Sequence, residues 1–368
     1  MDRPALWAYE PGSVFKVFSM ASIMELGGIN DQTLFDCNGK YERVLASGER
    51  IVIKCLGAHG KVSAKDIITY SCNAGAAYAS DRVEAKAFAD KIAAFGFGSK
   101  TGSGLPGETA GFIRTVDRWS ARSKPTIAIG QELAVSALQM VQAATAIAND
   151  GILVKPRIVS RILASDGTLK KRFEIQAPRR VLSDETARAI RRYMVSAASE
   201  AGTGRRAKVD DLQLAVKTGT AQLINPETGT YSSSEFIASC MALLPADRPS
   251  LILYTVIVRP KGDSYLGGRI AAPPIGEAAE ALADYLGMAR GRNNTAVHSG
   301  SILLSAEDEI TLSGTMPNLM GVSKRQLLPL LSRADLRIEI VGEGWVTHQS
   351  PEAGTTLQGG DSIFLELE

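Results

Sequence analysis

Two side chains near the start of the chain invite a chemical reading: Ser13 and Lys16, in the run Tyr9-Glu10-Pro11-Gly12-Ser13-Val14-Phe15-Lys16. A serine hydroxyl is a poor nucleophile at neutral pH and needs a base within hydrogen-bond reach. Residues i and i+3 of a helix share a face, so an amine at 16 can reach a hydroxyl at 13. Val14, Phe15, Val17, Phe18, Met20, Ala21, Ile23 and Met24 make this segment apolar on nearly every side, which predicts a buried helix. A buried lysine has a partner or a task. To act as a base Lys16 must be neutral, so its pKa must fall about 3 units from ~10.4, at a cost of about 4 kcal/mol. Burial supplies part of that fall, and a second cation nearby supplies more.

The hypothesis therefore demands another lysine, and K-T-G occurs twice, at Lys100-Thr101-Gly102 and at Lys217-Thr218-Gly219. The first copy lies in a glycine loop with no strand before it. The second extends the alternating run Leu212-Gln213-Leu214-Ala215-Val216 and continues as Thr220-Ala221-Gln222, which reads as a strand. Lys217 is chosen, and the earlier copy is given a structural role. A glycine in such a strand leaves the backbone edge open for a substrate chain, and the hydroxyls of Thr218 and Thr220 could bind a carboxylate. Between the lysines stands Ser71-Cys72-Asn73. Ser71 could relay a proton to a leaving amine, while Asn73 could hold a substrate amide and orient Lys16. Each motif arises easily by chance; order and context carry the weight.

The elements that must position these groups fall into two styles. Helices come first: Ser13 to about Leu26, stopped by Gly27-Gly28; one opened by Ser63 with Asp66 three residues on; Ala74 to Phe95; Val135 to Asn149; Thr186 to Ala198. Strand patterns follow at Leu212–Val216, Phe236–Leu244 and Leu251–Val258, closed by an amphipathic helix from Ile275 to Leu286. Helices clustered before antiparallel strands predict an α+β domain. The expected division is 1–290 for this domain, a linker at 291–306, and a small α/β module at 307–368, near the lower size limit for an independent fold.

Composition excludes several classes. The 368 residues are 45% hydrophobic and 22% charged, with 41 basic against 39 acidic side chains and a net charge of +2. That balance gives no electrostatic case for nucleic acid. The longest apolar run, around Leu251–Val258, is far too short to span a bilayer, so the chain reads as soluble. No phosphate loop or dinucleotide fingerprint appears, and no cofactor is expected. Four cysteines (Cys37, Cys55, Cys72, Cys240) and three histidines (His59, His298, His348) show no C-x-x-C pair, so no metal site is expected. Cys72 is read as a packing residue and His59 as a turn residue. Cys37 and Cys55 flank a predicted hairpin turning at Gly48, and a disulfide between them is one expectation.

S-x-x-K, S-x-N and K-T-G in this order form the motif set of penicillin-binding proteins and class A β-lactamases. YEPGSVFK, HGKVSAKDIITYSCN, FGFGSKTGSGLPGETAG, ELAVSALQMVQAATAIANDG, AVKTGTAQ and YLGGRIAAPPIGEAAEALADYLG resemble successive blocks of class B penicillin-binding proteins, the monofunctional peptidoglycan transpeptidases of division or sporulation type. The tail, MPNLMGVSKRQ to IFLELE, resembles a PASTA module. The resemblance implies the penicillin-binding transpeptidase or serine β-lactamase-like fold and a D,D-transpeptidase that β-lactams acylate. Ser13 would be the nucleophile, Lys16, Ser71, Asn73 and Lys217 its catalytic partners, and Thr218, Gly219 and Thr220 the substrate-binding strand. Backbone N–H groups of Ser13 and Thr220 would form the oxyanion hole. It also implies D-Ala-D-Ala stem peptides as substrate, and a membrane glycosyltransferase and divisome-type proteins as partners. The implied location is the extracytoplasmic face of the cell membrane. Family members carry a membrane helix, a pedestal domain and the first strands of the sheet before the serine; here 12 residues precede it, so the chain reads as truncated at its N-terminus and lacking the anchor. A serine β-lactamase or D,D-carboxypeptidase would share the three motifs, and a β-lactam- or muropeptide-sensing receptor would keep the serine without turnover.

Overall fold

The computed structural model describes residues 3–225, 228–288, 310, 312 and 314–368. The expected linker at 291–306, with His298, lies outside the described residues. The chain divides into two compact units, Met1–Leu282 and Ala283–Glu368.

In the first unit the serine segment is a one-turn 3-10 helix, Gly12–Phe15, that runs into α1 (Lys16–Glu25). Every residue from Lys16 to Ile23 is buried, as the all-round apolar pattern predicts. The rings of Phe15, Phe18, Phe95 and Phe97 interlock around this stretch, with neighbouring centroids 5.0 to 6.4 Å apart and planes tilted or edge-on, at the spacing where such aromatic contacts are favourable. Strands β1 (Phe35–Cys37), β2 (Lys40–Val44), β3 (Arg50–Lys54) and β4 (Gly60–Val62) form two small antiparallel pairs, β1 with β4 and β2 with β3. The β2–β3 pair is the expected hairpin, with Gly48 at φ +84° in its turn.

Helix α2 (Ala64–Thr69) opens on the expected capping box: Ser63 Oγ accepts the Asp66 N–H at 3.2 Å, and Asp66 Oδ2 accepts the Ser63 N–H at 2.9 Å. The single helix read over Ala74–Phe95 is two, α3 (Asn73–Ser80) and α4 (Ala85–Ala94). The first helix ends on Asp81, still helical in backbone and accepting from Tyr41 Oη at 3.0 Å, and the chain turns extended at Glu84 before α4 begins. Helices α5 (Ala137–Ala148) and α6 (Asp184–Ala197) are each capped by the preceding serine, Ser136 and Ser183.

The later part supplies the sheet. Strands β5 (Ala215–Ile224), β6 (Tyr231–Leu244) and β7 (Leu251–Val258) pair antiparallel in the order β5-β6-β7, and α7 (Ala272–Tyr285) follows. The alternating run at 212–216 therefore enters the strand only at Ala215, and the strand carries the K-T-G-T segment itself. Its inner positions are buried because the sheet packs against helices, so an uninterrupted buried stretch from Ala215 to Gly219 replaces alternation. Helices and an antiparallel sheet in one unit make the α+β class expected from the pattern.

In the second unit, Ser323 caps α8 (Lys324–Leu327) through a box with Gln326. Strand β8 (Arg337–Gly342) pairs parallel, and β9 (Val346–Ser350) antiparallel, to β10 (Ser362–Leu367) between them. Leu327, Leu330, Val346, Ile363, Leu365 and Leu367 form its small core, and the alternation of β10 puts Ile363, Leu365 and Leu367 on the buried face.

Candidate active site

A 3-10 helix has three residues per turn, so positions i and i+3 eclipse. That geometry, tighter than the expected α-helical start, stacks Lys16 directly over Ser13: Lys16 Nζ lies 2.7 Å from Ser13 Oγ. Gly12 permits the turn with φ +56°, and a Cβ there would lie 2.8 Å from the Thr220 carbonyl oxygen. The serine turn thus presses against β5.

Lys16 Nζ, fully buried, also donates to Asn73 Oδ1 at 2.6 Å and to the Ser71 carbonyl at 3.1 Å, and lies 3.3 Å from Ser71 Oγ. Asn73 is fixed in turn, its Nδ2 donating to the Lys54 carbonyl at 2.9 Å. Ser71 sits at φ +58°, left-handed backbone that costs a non-glycine residue about 1–3 kcal/mol and is characteristic of functional sites. From the other side Lys217 Nζ donates to Ser71 Oγ at 3.0 Å and to the Thr218 carbonyl at 2.7 Å. Ser13, Lys16, Ser71, Asn73 and Lys217, drawn from three separate stretches of sequence, make one hydrogen-bonded chain.

Burial pushes Lys16 down from 10.5 to about 8, against the thiols of Cys72 and Cys55, which push it up. Lys217 is held well below its usual value, by burial first and then by the charge of Lys16. The second cation expected to lower Lys16 acts the other way round: burial alone lowers Lys16, and the charge of Lys16 helps to lower Lys217.

Ser13, Ser71, Asn73, Thr218, Gly219 and Thr220 open onto a cavity of about 820 Å³, while Lys16 and Lys217 lie beneath its floor. The expected strand residues differ from expectation in detail. Thr218 Oγ1 donates to Thr203 Oγ1 at 2.9 Å, and Thr220 Oγ1 accepts from the Gly267 N–H at 3.0 Å, so neither hydroxyl is unpartnered. Gly219 is required by packing more than by an open edge: a Cβ there would lie 2.7 Å from Ser239 Oγ and 2.8 Å from Val14 Cγ2. The cavity lining also carries Thr203 and three cations, Arg205, Arg206 and Arg269, suited to a carboxylate and missed by sequence reasoning; they stand on single-turn helices, Arg205–Ala207 and Gly267–Ile270, and the three motifs carry no signal for them.

The structure also draws together groups that lie apart in the sequence. Cys37, Cys55, Cys72 and His59 meet under the Ser71–Asn73 segment. Cys37 and Cys55 are unbonded thiols, 3.7 Å apart. His348 stands in β9 of the second unit. The other K-T-G lysine, Lys100, is exposed. Among the described residues no helix is long and apolar enough to cross a membrane.

Residues 3–280 match the family described as the penicillin binding protein transpeptidase domain, and residues 314–368 match the PASTA domain. The chain is 33% identical to stage V sporulation protein D of Bacillus subtilis over all of this chain and 55% of that protein. It is 33% identical to penicillin-binding protein PbpB of Mycolicibacterium smegmatis over 71% of this chain and 41% of that one. It therefore spans about half the length of the curated relatives it matches. Among solved structures it resembles penicillin-binding protein 3 of Mycobacterium tuberculosis complexed with aztreonam, with a TM-score of 0.70 and 29% identity over 79% of this chain and 65% of that one.

Proposed function

Because this chain belongs to the penicillin-binding protein transpeptidase family, we propose that it is a peptidoglycan D,D-transpeptidase acting through a Ser13 acyl-enzyme. The observation that carries the proposal is the 2.7 Å approach of Lys16 Nζ to Ser13 Oγ on the floor of the cavity. With a pKa of about 8, Lys16 is neutral in about a tenth of molecules at pH 7, enough to take the serine proton. Ser13 Oγ then bonds to the penultimate D-Ala carbonyl of a stem peptide. The carbonyl oxygen becomes an anion held by the Ser13 and Thr220 N–H groups, each donor worth roughly 3–4 kcal/mol. Ser71, hydrogen-bonded between the two lysines, passes a proton to the departing D-Ala amine. The amine of a second stem attacks the ester carbonyl and gives one of its own protons to the Lys16–Ser71 pair; the ester C–O bond breaks, the cross-link forms, and Ser13 Oγ takes that proton.

Asn73 orients Lys16 and the substrate amide, Thr218, Gly219 and Thr220 present the binding strand, and Arg205, Arg206 and Arg269 draw in the terminal carboxylate. β-Lactams would act as covalent inhibitors at Ser13, and a membrane glycosyltransferase with divisome-type proteins would supply glycan strands on the extracytoplasmic face. The domain limits 1–290 and 307–368, joined by 291–306, belong to the same proposal. Incubation with a penicillin, followed by intact mass and peptide mapping, tests it. One adduct on Ser13 is expected; a label elsewhere, or none on a folded chain, overturns it. Slow deacylation, with transfer to an added amine, is expected over release to water.

A further inference from the structure

Beneath Ser71-Cys72-Asn73 lies a group of reactive side chains for which acyl transfer has no use. The sulfurs of Cys37, Cys55 and Cys72 and a ring nitrogen of His59 all lie within 4.8 Å of one another. They arrive from four places: the end of β1, the residue after β3, the loop before β4 and the cap of α3. Cys37 and Cys55 Sγ are 3.7 Å apart, Cys55 and Cys72 Sγ 3.7 Å, and Cys37 Sγ and His59 Nδ1 3.4 Å. Zinc bonds of about 2.3 Å to sulfur and about 2.0–2.1 Å to nitrogen give a tetrahedron with S···S edges of about 3.8 Å and S···N edges of about 3.5 Å. Three of the six edges already stand at these lengths, and the other three are within 4.8 Å.

The surroundings suit thiolates. Cys55 Sγ accepts the backbone N–H groups of Asn73 and Ala74, each at 3.1 Å, and Cys72 Sγ accepts that of Gly75 at 3.3 Å. Such donors stabilise sulfur once its proton has left. The His59 ring is stacked on Tyr70, with centroids 5.8 Å apart and planes at 8°, and its backbone N–H donates to the Cys37 carbonyl at 3.0 Å. Three thiolates this close would repel strongly, and a divalent cation removes the conflict. Soft sulfur donors with one imidazole select zinc over magnesium or calcium.

We propose that Cys37, Cys55, His59 and Cys72 ligate a single thiophilic divalent metal, zinc above all, which fastens the Ser71–Asn73 segment to the end of the β2–β3 hairpin. Each ligating thiol gives its proton to solvent, and His59 binds as neutral imidazole. The metal touches no substrate. It is a positioning device: Cys72 separates Ser71 from Asn73, and Lys54, whose carbonyl holds the Asn73 amide, precedes Cys55.

The test uses the full chain purified under reducing conditions, with metal content measured by plasma mass spectrometry and Co(II) titration followed by absorption. About one zinc per chain is expected, and Co(II) should give the intense visible bands of a tetrahedral ion with a thiolate charge-transfer band. His59→Ala and Cys37→Ser should each weaken Co(II) binding at least about 10-fold, while Cys240→Ser, outside the cluster, should not. A wild-type chain with four titratable thiols that yields only the weak spectrum of a hydrated ion overturns the proposal. So does a Cys37–Cys55 disulfide that persists under those conditions, or affinity unchanged in both ligand variants. The wild-type spectrum decides even if a variant fails to fold. Metal uptake without penicillin acylation would overturn the transpeptidase reading alone, and acylation without uptake this one alone.

Discussion

The same tripeptide occurs twice in this chain and does two unrelated things. At Lys217-Thr218-Gly219 it lies in β5: the lysine is fully buried, its amine bonded to Ser71 Oγ, and the glycine is pressed between Ser239 and Val14. At Lys100-Thr101-Gly102 it lies in a loop, where the lysine is exposed and the Thr101 N–H is bonded to Glu108. Even the glycines are needed for different reasons. Gly102 has φ +79° and open space within 4 Å of where a methyl would stand, whereas Gly219 has no left-handed φ and no room. Identity of residues is thus not identity of environment: loss of water and a second amine nearby lower the pKa of Lys217, whereas Lys100 keeps its water in an exposed loop.

The sharpest way to break this comparison is to remove each lysine. Lys217→Ala should lower the rate of penicillin acylation by about 10²–10⁴-fold, measured by stopped-flow or adduct mass against time. Lys100→Ala should leave that rate unchanged. Equal losses would abolish the distinction.

Titration sharpens it next. With Lys16 as the proposed base, the acylation rate should climb about tenfold per pH unit below pH 8 and level off above. The sign for stability is the same: the unfolded lysine keeps its proton to about 10.5 while the folded one loses it near 8. The unfolded state then binds more protons, and stability rises with pH across that interval. A flat rate profile from pH 6 to 9 would remove Lys16 as the base.

The glycines give a smaller contrast. Gly219→Ala should destabilise by about 1–3 kcal/mol through overpacking and should also slow acylation, since Val14 adjoins Ser13. Gly102→Ala should cost about 1 kcal/mol of backbone strain with the acylation rate of folded protein intact. Urea midpoints and adduct rates on both variants check this pair. The smallest effect belongs to Glu108→Gln, expected to cost about 1 kcal/mol through weaker bonds to Thr101 and Ser103, seen as a lowered melting temperature alone.

Much of this was legible in residues. The apolar surround of Lys16 announced burial, and the Ser63 cap announced a helix start, because those signals are local. The apolar run at Leu251–Val258 also matched β7 to the residue. The break between Ser80 and Ala85 was not legible, because the alanine-rich run keeps its helical look through Glu84, where the backbone is extended. The K-T-G strand began later than read, since packing on both faces erases alternation. Partner groups such as Thr203 and Arg205 carry no motif at all. The four metal-type donors escaped for a related reason: only Cys55 and His59 are near in sequence, and the fold brings in the rest.

The bond between Lys217 and Ser71 joins positions 146 residues apart, and that between Lys16 and Asn73 positions 57 apart. Contacts so remote form late, after loop-closure entropy has been met by the rest of the fold. At a synthesis rate of ~5–20 residues per second, Ser13 leaves the ribosome roughly 10–40 seconds before Lys217. Through that interval the serine has no relay and no strand to bind against. The five polar groups can therefore meet only after Lys217 has been made, so the hydrogen-bonded chain is among the last features this fold acquires.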